Sequence, residues 1–352
     1  MKIQPYQPGK PIDEVKRELG LKQVVKLASN ETPYGPSPKV VKAMAQAARE
    51  VNRYPDGGCF YLRKELARRL KVYENQLVFG NGSDEIIVMA IRAFAGEGDE
   101  VVVAKPSFLI YDIASRVNGA TVKSVPLKDF RYDLDGMKKA VTKKTKIIFI
   151  GNPDNPAGTY VTAGQLKKFL KSVRSDILVF LDEAYFEYVN DKDYPDAIKL
   201  LKAHKNLIVA RTFSKMYGLA GLRVGYGIAH AEVVDILNRV REPFNINSIA
   251  QAAALAALKD QSYYRRVAIE IEQQRQWLYQ QFEKMDVDFK KTVTNFILID
   301  VKKDSRMATQ ALMKKGVIVR DMSFWGLNTY IRVSIGTEVE NKKFIKAFKQ
   351  LV

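Results

Sequence analysis

Leu77-Val78-Phe79-Gly80-Asn81-Gly82-Ser83-Asp84-Glu85-Ile86-Ile87 passes from a strand through a glycine turn into a helix. The apolar run at 77–79 reads as a short strand, and Ile86, Ile87, Ala90, Ile91 and Phe94 then recur at helical spacing. Glycines let the backbone approach a ligand closely, and the free amides of a first helical turn point at whatever sits there, so the junction suits an anion. By itself it is better explained as an ordinary helix start capped by Ser83 or Asp84, and it needs support from elsewhere in the chain.

Outward from this unit the same alternation continues. Strands are expected at 101–104, 121–125, 146–150, 177–181 and 207–211, with helices near 107–117, 133–141 and 162–173 between them. Strands alternating with helices predict an α/β fold with a mostly parallel sheet covered by helices, and such sheets gather functional residues at the carboxyl ends of their strands. Two loops obey that rule. The strand at 146–150 runs into Gly151-Asn152-Pro153-Asp154-Asn155-Pro156-Ala157-Gly158-Thr159, and the one at 177–181 into Asp182-Glu183-Ala184-Tyr185.

Upstream, residues 1–28 read as an arm leading into a strand at 24–27, followed by the turn-rich Ser29-Asn30-Glu31-Thr32-Pro33-Tyr34-Gly35-Pro36. Helices near 39–51 and 60–71 flank the loop Tyr54-Pro55-Asp56-Gly57-Gly58. Downstream, helical spacing returns around 231–241. A long helical region at 246–285, with a break expected near Gln261-Ser262, leads to a smaller α/β domain: strands at 295–301, 317–320 and 330–334, helices near 305–315 and from 338. The expected division is an arm at 1–28, a large domain at 29–245, and bridging helices with a small C-terminal domain at 246–352.

The segment Arg211-Thr212-Phe213-Ser214-Lys215-Met216-Tyr217-Gly218-Leu219-Ala220-Gly221-Leu222-Arg223-Val224-Gly225 supplies the missing support. An amine held among Phe213, Met216, Tyr217 and Leu219 is easier to deprotonate than a solvated one, and a neutral lysine forms a Schiff base with a carbonyl. Thr212, Ser214 and Arg223 place two hydroxyls and a guanidinium close by, which suits a phosphate. A cofactor carrying both an aldehyde and a phosphate fits.

Composition bounds the reading. With 352 residues, 47% hydrophobic and 27% charged, the chain has ordinary globular usage. No apolar run approaches the roughly 18 to 20 residues of a spanning helix, and the N-terminus lacks a secretory pattern. Cys59 is the only cysteine, so no internal disulfide is possible and the cytoplasm is the expected compartment. The formal charge of +18 raises the question of nucleic acid. The basic residues are dispersed, however, as in Lys138-Lys139 and Lys342-Lys343, without a recognition motif, and read as a solvated face. His204, His230 and Cys59 lack ligand spacing, so no metal is expected.

Asn155-Pro156-x-Gly158, Asp182-x-x-Tyr185, Ser214-Lys215 and Arg223 stand in an order and spacing that resemble the fold-type I pyridoxal-phosphate aminotransferases. Ser29-Asn30-Glu31-x-Pro33-Tyr34-Gly35, Tyr54-Pro55-Asp56 and Arg211-Thr212-x-Ser214-Lys215 narrow the resemblance to the histidinol-phosphate aminotransferase family, over nearly the whole chain. The resemblance implies that pyridoxal 5'-phosphate is held by Lys215, which afterwards moves the substrate proton. Asp182 would pair with the pyridine nitrogen. Asn155 and Tyr185 would hydrogen-bond the ring oxygen, Phe108 would stack on the ring, and Gly82, Ser83, Asp84, Thr212, Ser214 and Arg223 would hold the phosphate.

Tyr54 would reach the phosphate in a neighbouring subunit, which implies a homodimer. Arg332 matches the family's substrate-anion arginine, with Arg320, Tyr6 and Asn30 as further substrate contacts. The implied partners are a small-molecule amino donor and a 2-oxo acid, with neither nucleic acid nor membrane. The implied reaction moves an amino group between L-histidinol phosphate and 2-oxoglutarate, and the rival is an aromatic-amino-acid aminotransferase, for tyrosine or phenylalanine, or an enzyme of dual specificity. Two departures stand out: Ala157 where threonine is frequent, and Phe108 where tyrosine is common.

Overall fold

The computed structural model describes residues 3, 5 and 7–351. Tyr6, expected at the substrate, lies outside the described residues. The strands are β1 (Val25–Leu27), β2 (Leu77–Gly80), β3 (Glu100–Lys105), β4 (Thr121–Pro126), β5 (Thr145–Gly151) and β6 (Leu178–Asp182). They continue as β7 (Leu207–Thr212), β8 (Gly225–Ala229), β9 (Phe289–Lys290), β10 (Phe296–Asp300), β11 (Val317–Asp321) and β12 (Tyr330–Ser334). Seven of these form one sheet in the order β2-β8-β7-β6-β5-β3-β4. Neighbours from β7 to β4 pair in parallel, and β8 alone runs against both of its neighbours.

The central strands are continuous apolar runs rather than alternating ones. Ile147, Ile148, Phe149 and Ile150 in β5, like Val179, Phe180 and Leu181 in β6, are fully buried. That composition is what a parallel sheet covered on both faces demands. The carboxyl ends of the adjacent strands β5, β6 and β7 therefore open side by side, which brings the loop at 151–159, Asp182 and the lysine segment to one edge.

β8 was not legible in the sequence. Its run Gly-Tyr-Gly-Ile-Ala carries two glycines, which weaken a strand assignment. The structure gives Gly225 a packing reason: a Cβ there would lie 2.5 Å from the Ser83 amide nitrogen. The strand can pass the start of the helix Ser83–Phe94 only without a side chain.

The smaller sheet has the order β1-β11-β12-β10-β9, with β1 parallel to β11 and the remaining pairs antiparallel. Residues read as an arm thus build part of this sheet. A helix at Ile12–Leu19, unanticipated from the sequence, buries Val15 against Ala28 and Ile318 and ends at Gly20 in the left-handed region. The bridging region is two helices, Ser248–Lys259 and Gln261–Lys284, broken at Asp260 as the sequence suggested. One hydrophobic cluster runs from Val179 and Val209 of the large sheet to Phe296, Val317 and Ile331 of the small one, so the two sheets share a core. No helix of the described residues is long and apolar enough to cross a membrane.

Candidate active site

Ser83, Asp84, Phe108, Asn155, Asp182, Tyr185, Thr212, Ser214, Lys215, Arg223, Arg332 and Asn30 line a single cleft between the two sheets. Asp182 closes β6 at its floor. Its Oδ2 accepts from the Tyr111 hydroxyl at 2.7 Å and its Oδ1 from the Ala184 amide at 3.1 Å. Burial pushes the carboxyl up to about 6, partly offset by these two donors. Tyr111 is itself fixed by stacking on Phe149 with centroids 4.7 Å apart. The sequence assigns Tyr111 no role, because its grip on Asp182 depends on strands β5 and β6 being neighbours.

Lys215 stands in the turn after β7, half-buried, with its Nζ donating to the Ser29 carbonyl at 3.5 Å and lying 5.5 Å from the centre of the Tyr185 ring. Phe213, Met216 and Leu219 are buried beneath that turn. The Tyr185 hydroxyl accepts from Asn30 Nδ2 at 2.9 Å, and burial pushes it up to about 12. Phe108 caps the helix Leu109–Val117 and meets Tyr111 edge-on.

The two distant stretches expected to hold an anion meet in the cleft. Arg223 Nη2 reaches Asp84 Oδ2 at 3.1 Å and its Nη1 reaches Ser214 Oγ at 3.3 Å, while Thr212 Oγ1 accepts from the Ser214 amide at 3.1 Å. Gly82 is in the left-handed region, with φ 80°, and a Cβ on it would fall 2.3 Å from Arg223 Nη2. Arg223 thus brings its Nη2 end against a residue whose backbone conformation and missing side chain both call for glycine. The first amides of the helix Ser83–Phe94 point at the same place.

Arg332, on β12, is buried at the opposite wall. It donates through Nη1 to Asn155 Oδ1 and through Nη2 to the Ala28 carbonyl at 3.2 Å. Since Arg332 takes the acceptor end of Asn155, the amide's NH2 is the end left to serve an oxygen in the cleft. Arg320 sits directly across from Arg332 in the β11–β12 register, yet it is not among the lining side chains; its Nη2 donates to the Gln7 carbonyl at 2.6 Å. Tyr54 is also away from this cleft: it is 84% exposed and stacked on Phe244 at 4.9 Å.

One further pair escaped the sequence reading. Glu183 and Arg211, both buried, pair behind the site, where Arg211 Nε and Nη2 both donate to Glu183 Oε2 at 2.9 and 2.8 Å, and Arg211 lies 3.6 Å over the Phe186 ring. Asp182 and Glu183 point to opposite sides of one strand end, as do Arg211 and Thr212, so the sites separate by strand alternation. Among the described residues no cluster of His, Cys, Asp and Glu could hold a metal ion.

The family description Aminotransferase class I and II matches residues 22–348. The chain belongs to the class I and II aminotransferases. This aminotransferase is 47% identical, over all of its length and 92% of the relative's, to the histidinol-phosphate aminotransferase of Moorella thermoacetica. It is 46% identical to that of Caldicellulosiruptor saccharolyticus, covering 99% of its own chain and 98% of the other. Its fold superposes on a histidinol-phosphate aminotransferase of Sinorhizobium meliloti, in complex with pyridoxal-5'-phosphate, with TM-score 0.91 and 30% identity over 98% and 95% of the two chains. An aspartate aminotransferase of Thermus thermophilus, 21% identical with TM-score 0.86, shares the fold over 98% of this chain and 97% of that one.

Proposed function

We propose that this aminotransferase acts in the cytoplasm, moving the amino group between L-histidinol phosphate and 2-oxoglutarate with pyridoxal 5'-phosphate as cofactor. The observation that carries the reading is the content of one cleft: a lysine amine, a buried carboxylate, an anion cradle and, on the opposite wall, a second buried cation. The cofactor's three demands are met separately. Its aldehyde needs an amine, for which Lys215 stands ready; its ring nitrogen needs a carboxylate, and Asp182 is the buried one; its phosphate needs donors without a Cβ in the way, as at Gly82. When bound, the cofactor supplies an aldehyde that links to an amine and a protonated ring that takes up electrons from the substrate's Cα.

The chain's own groups do the rest. Lys215 would hold the cofactor and, when free of it, would be placed to move the proton at the substrate's Cα. Asp182, steadied by Tyr111 and the Ala184 amide, keeps a proton on the ring nitrogen. Tyr185 and the NH2 of Asn155 would donate to the ring oxygen, and Phe108, which lines the same cleft, would cover the ring. The amides at 82–84, Thr212, Ser214 and Arg223 anchor the phosphate. Arg332 receives the substrate's anion, a phosphoester in one half-reaction and a carboxylate in the other, because both groups branch from the carbon next to the amine. In parallel assays with 2-oxoglutarate as acceptor, histidinol phosphate is expected to be used in preference to tyrosine or phenylalanine; the reverse order would reject the assignment.

Arg332→Ala is expected to lower kcat/KM by about 30- to 1,000-fold, or roughly 2 to 4 kcal/mol, with both histidinol phosphate and glutamate. Arg332→Lys should restore little, since a point charge cannot keep the planar fork. Single-turnover kinetics with each donor checks this. Loss confined to glutamate would mean that another group holds the phosphoester.

We also propose a homodimer in which Tyr54 completes the partner's phosphate site. Exposed Tyr54, Phe60, Tyr61, Tyr73 and Phe244 support this, since aromatic surface of this kind marks an interaction face. Tyr54→Ala mixed with Lys215→Ala should regain activity, because one site of each mixed dimer carries both defects and the other neither. Complete exchange at equal amounts gives about a quarter of the native rate. No recovery after verified exchange would count against a shared site.

A further inference from the structure

Asn30 was grouped with the substrate contacts, yet its hydrogen bonds run to protein. It is 1% exposed and in the left-handed region, with φ 54°. Its backbone amide donates to Ser334 Oγ at 2.8 Å, its carbonyl accepts from Asn295 Nδ2 at 3.0 Å, and its Nδ2 donates to the Tyr185 oxygen at 2.9 Å. Ser334 lies two residues beyond Arg332 on β12 and so shares its face of the sheet. Asn295 immediately precedes β10, the strand paired with β12. Tyr185 belongs to the other sheet, in the loop after β6. The side chain reaches the same strand, since its Oδ1 accepts from Ser334 Oγ at 3.5 Å, so Asn30 spans from the strand that carries Arg332 to the tyrosine beside Lys215.

The polarity of this link has a chemical consequence. Asn30 Nδ2 can only donate, so the Tyr185 oxygen must accept and its own proton must be given in another direction. No protein acceptor for that proton lies within hydrogen-bond distance among the described residues, and Tyr185 lines the cleft. We propose that Asn30 is a positioning residue: it turns the Tyr185 proton into the cleft and ties that orientation to the strand bearing Arg332. This rests on the functional reading above, in which the Tyr185 proton is donated to the cofactor's ring oxygen. A donor at that oxygen stabilises its negative charge and so weakens the hold on a proton at the neighbouring lysine-linked nitrogen. Losing the alignment should therefore raise the pH at which that nitrogen titrates.

The test uses the loaded holoenzyme and reads the pH midpoint of the visible absorbance change of the lysine-bound cofactor. Asn30→Gly keeps the left-handed backbone and both of its main-chain hydrogen bonds while deleting the donor. Its midpoint should rise by about 0.5 to 1 unit, and kcat/KM should fall by about 2- to 12-fold, the worth of one neutral hydrogen bond. Asn30→Asp matches the shape but offers an acceptor, draws the Tyr185 proton out of the cleft, and should shift the midpoint further. In a Tyr185→Phe background, Asn30→Gly should move the midpoint no further, because the two residues act as one unit. A native midpoint in Asn30→Gly, or shifts that add in the double variant, would overturn the proposal. A native protein with no lysine-bound absorbance would instead overturn the functional reading, and this inference with it.

Discussion

Replacing Lys215 by alanine is expected to abolish transamination, by about 10,000-fold or more, while the protein keeps its fold and still takes up cofactor. The size follows from one side chain having two duties. Removing a general base alone typically costs 100- to 10,000-fold, and here the covalent attachment goes with it. The fold should survive because the apolar support of the turn comes from Phe213, Met216 and Leu219, which the substitution leaves in place. Cofactor should still bind, without a covalent link, because Thr212, Ser214, Arg223 and the amides after Gly82 are untouched. Borohydride reduction of the native holoenzyme followed by peptide mapping should place the label on Lys215. A label on another lysine, or an active alanine variant, would remove this residue from its role. Added methylamine, small enough to enter the vacated space, should restore part of the proton transfer.

Asp182→Asn separates stability from activity in opposite directions. In the cofactor-free protein the carboxyl is held at about 6, against an ordinary 3.8, because burial disfavours its charge. A carboxyl whose folded-state value lies above its unfolded one binds more protons in the folded protein between those two values. Stability therefore falls as pH rises from about 4 to 6, and above pH 6 the full cost, about 3 kcal/mol for two pH units, is present.

Asparagine removes that charge and can still accept from the Ala184 amide and donate to the Tyr111 oxygen. Cofactor-free Asp182→Asn should thus match or exceed the native protein in Tm above pH 6, with the advantage vanishing below about pH 4. With cofactor bound the sign should reverse, since a ring cation there would need the carboxylate. Removing one partner of a buried ion pair costs roughly 3 to 5 kcal/mol, which lowers kcat/KM by about 100- to 10,000-fold. Cofactor should raise the Tm of the native protein more than that of the variant. An equal rise in both would show that Asp182 does not meet a cation there.

The sequence by itself determined the parts that local chemistry encodes. The apolar runs at 146–150, 177–181 and 207–211 announce strands buried on both faces, and the polar residues that follow each run, from Gly151 to Thr159, Asp182 to Tyr185 and Ser214 to Lys215, mark the ends where chemistry is placed. The turn at Gly82 and the hydroxyls beside Lys215 pointed to one anion from two distant stretches. Their union at Arg223 is visible only once β8 has carried Arg223 back against the helix start at Ser83.

What the tertiary structure decided are the pairings that no periodicity contains. β8 hides because Gly225 answers to the Ser83 backbone rather than to strand propensity, and β1 joins the small sheet through β11, far along the chain. Arg320 and Arg332 look alike as arginines on neighbouring strands, but one turns to the Gln7 carbonyl and the other into the cleft. Asn30 meets Tyr185 and Ser334 across 155 and 304 residues of chain. Such contacts are chosen by which surfaces come to lie together when the two sheets bury their common core, and only the folded chain contains that information.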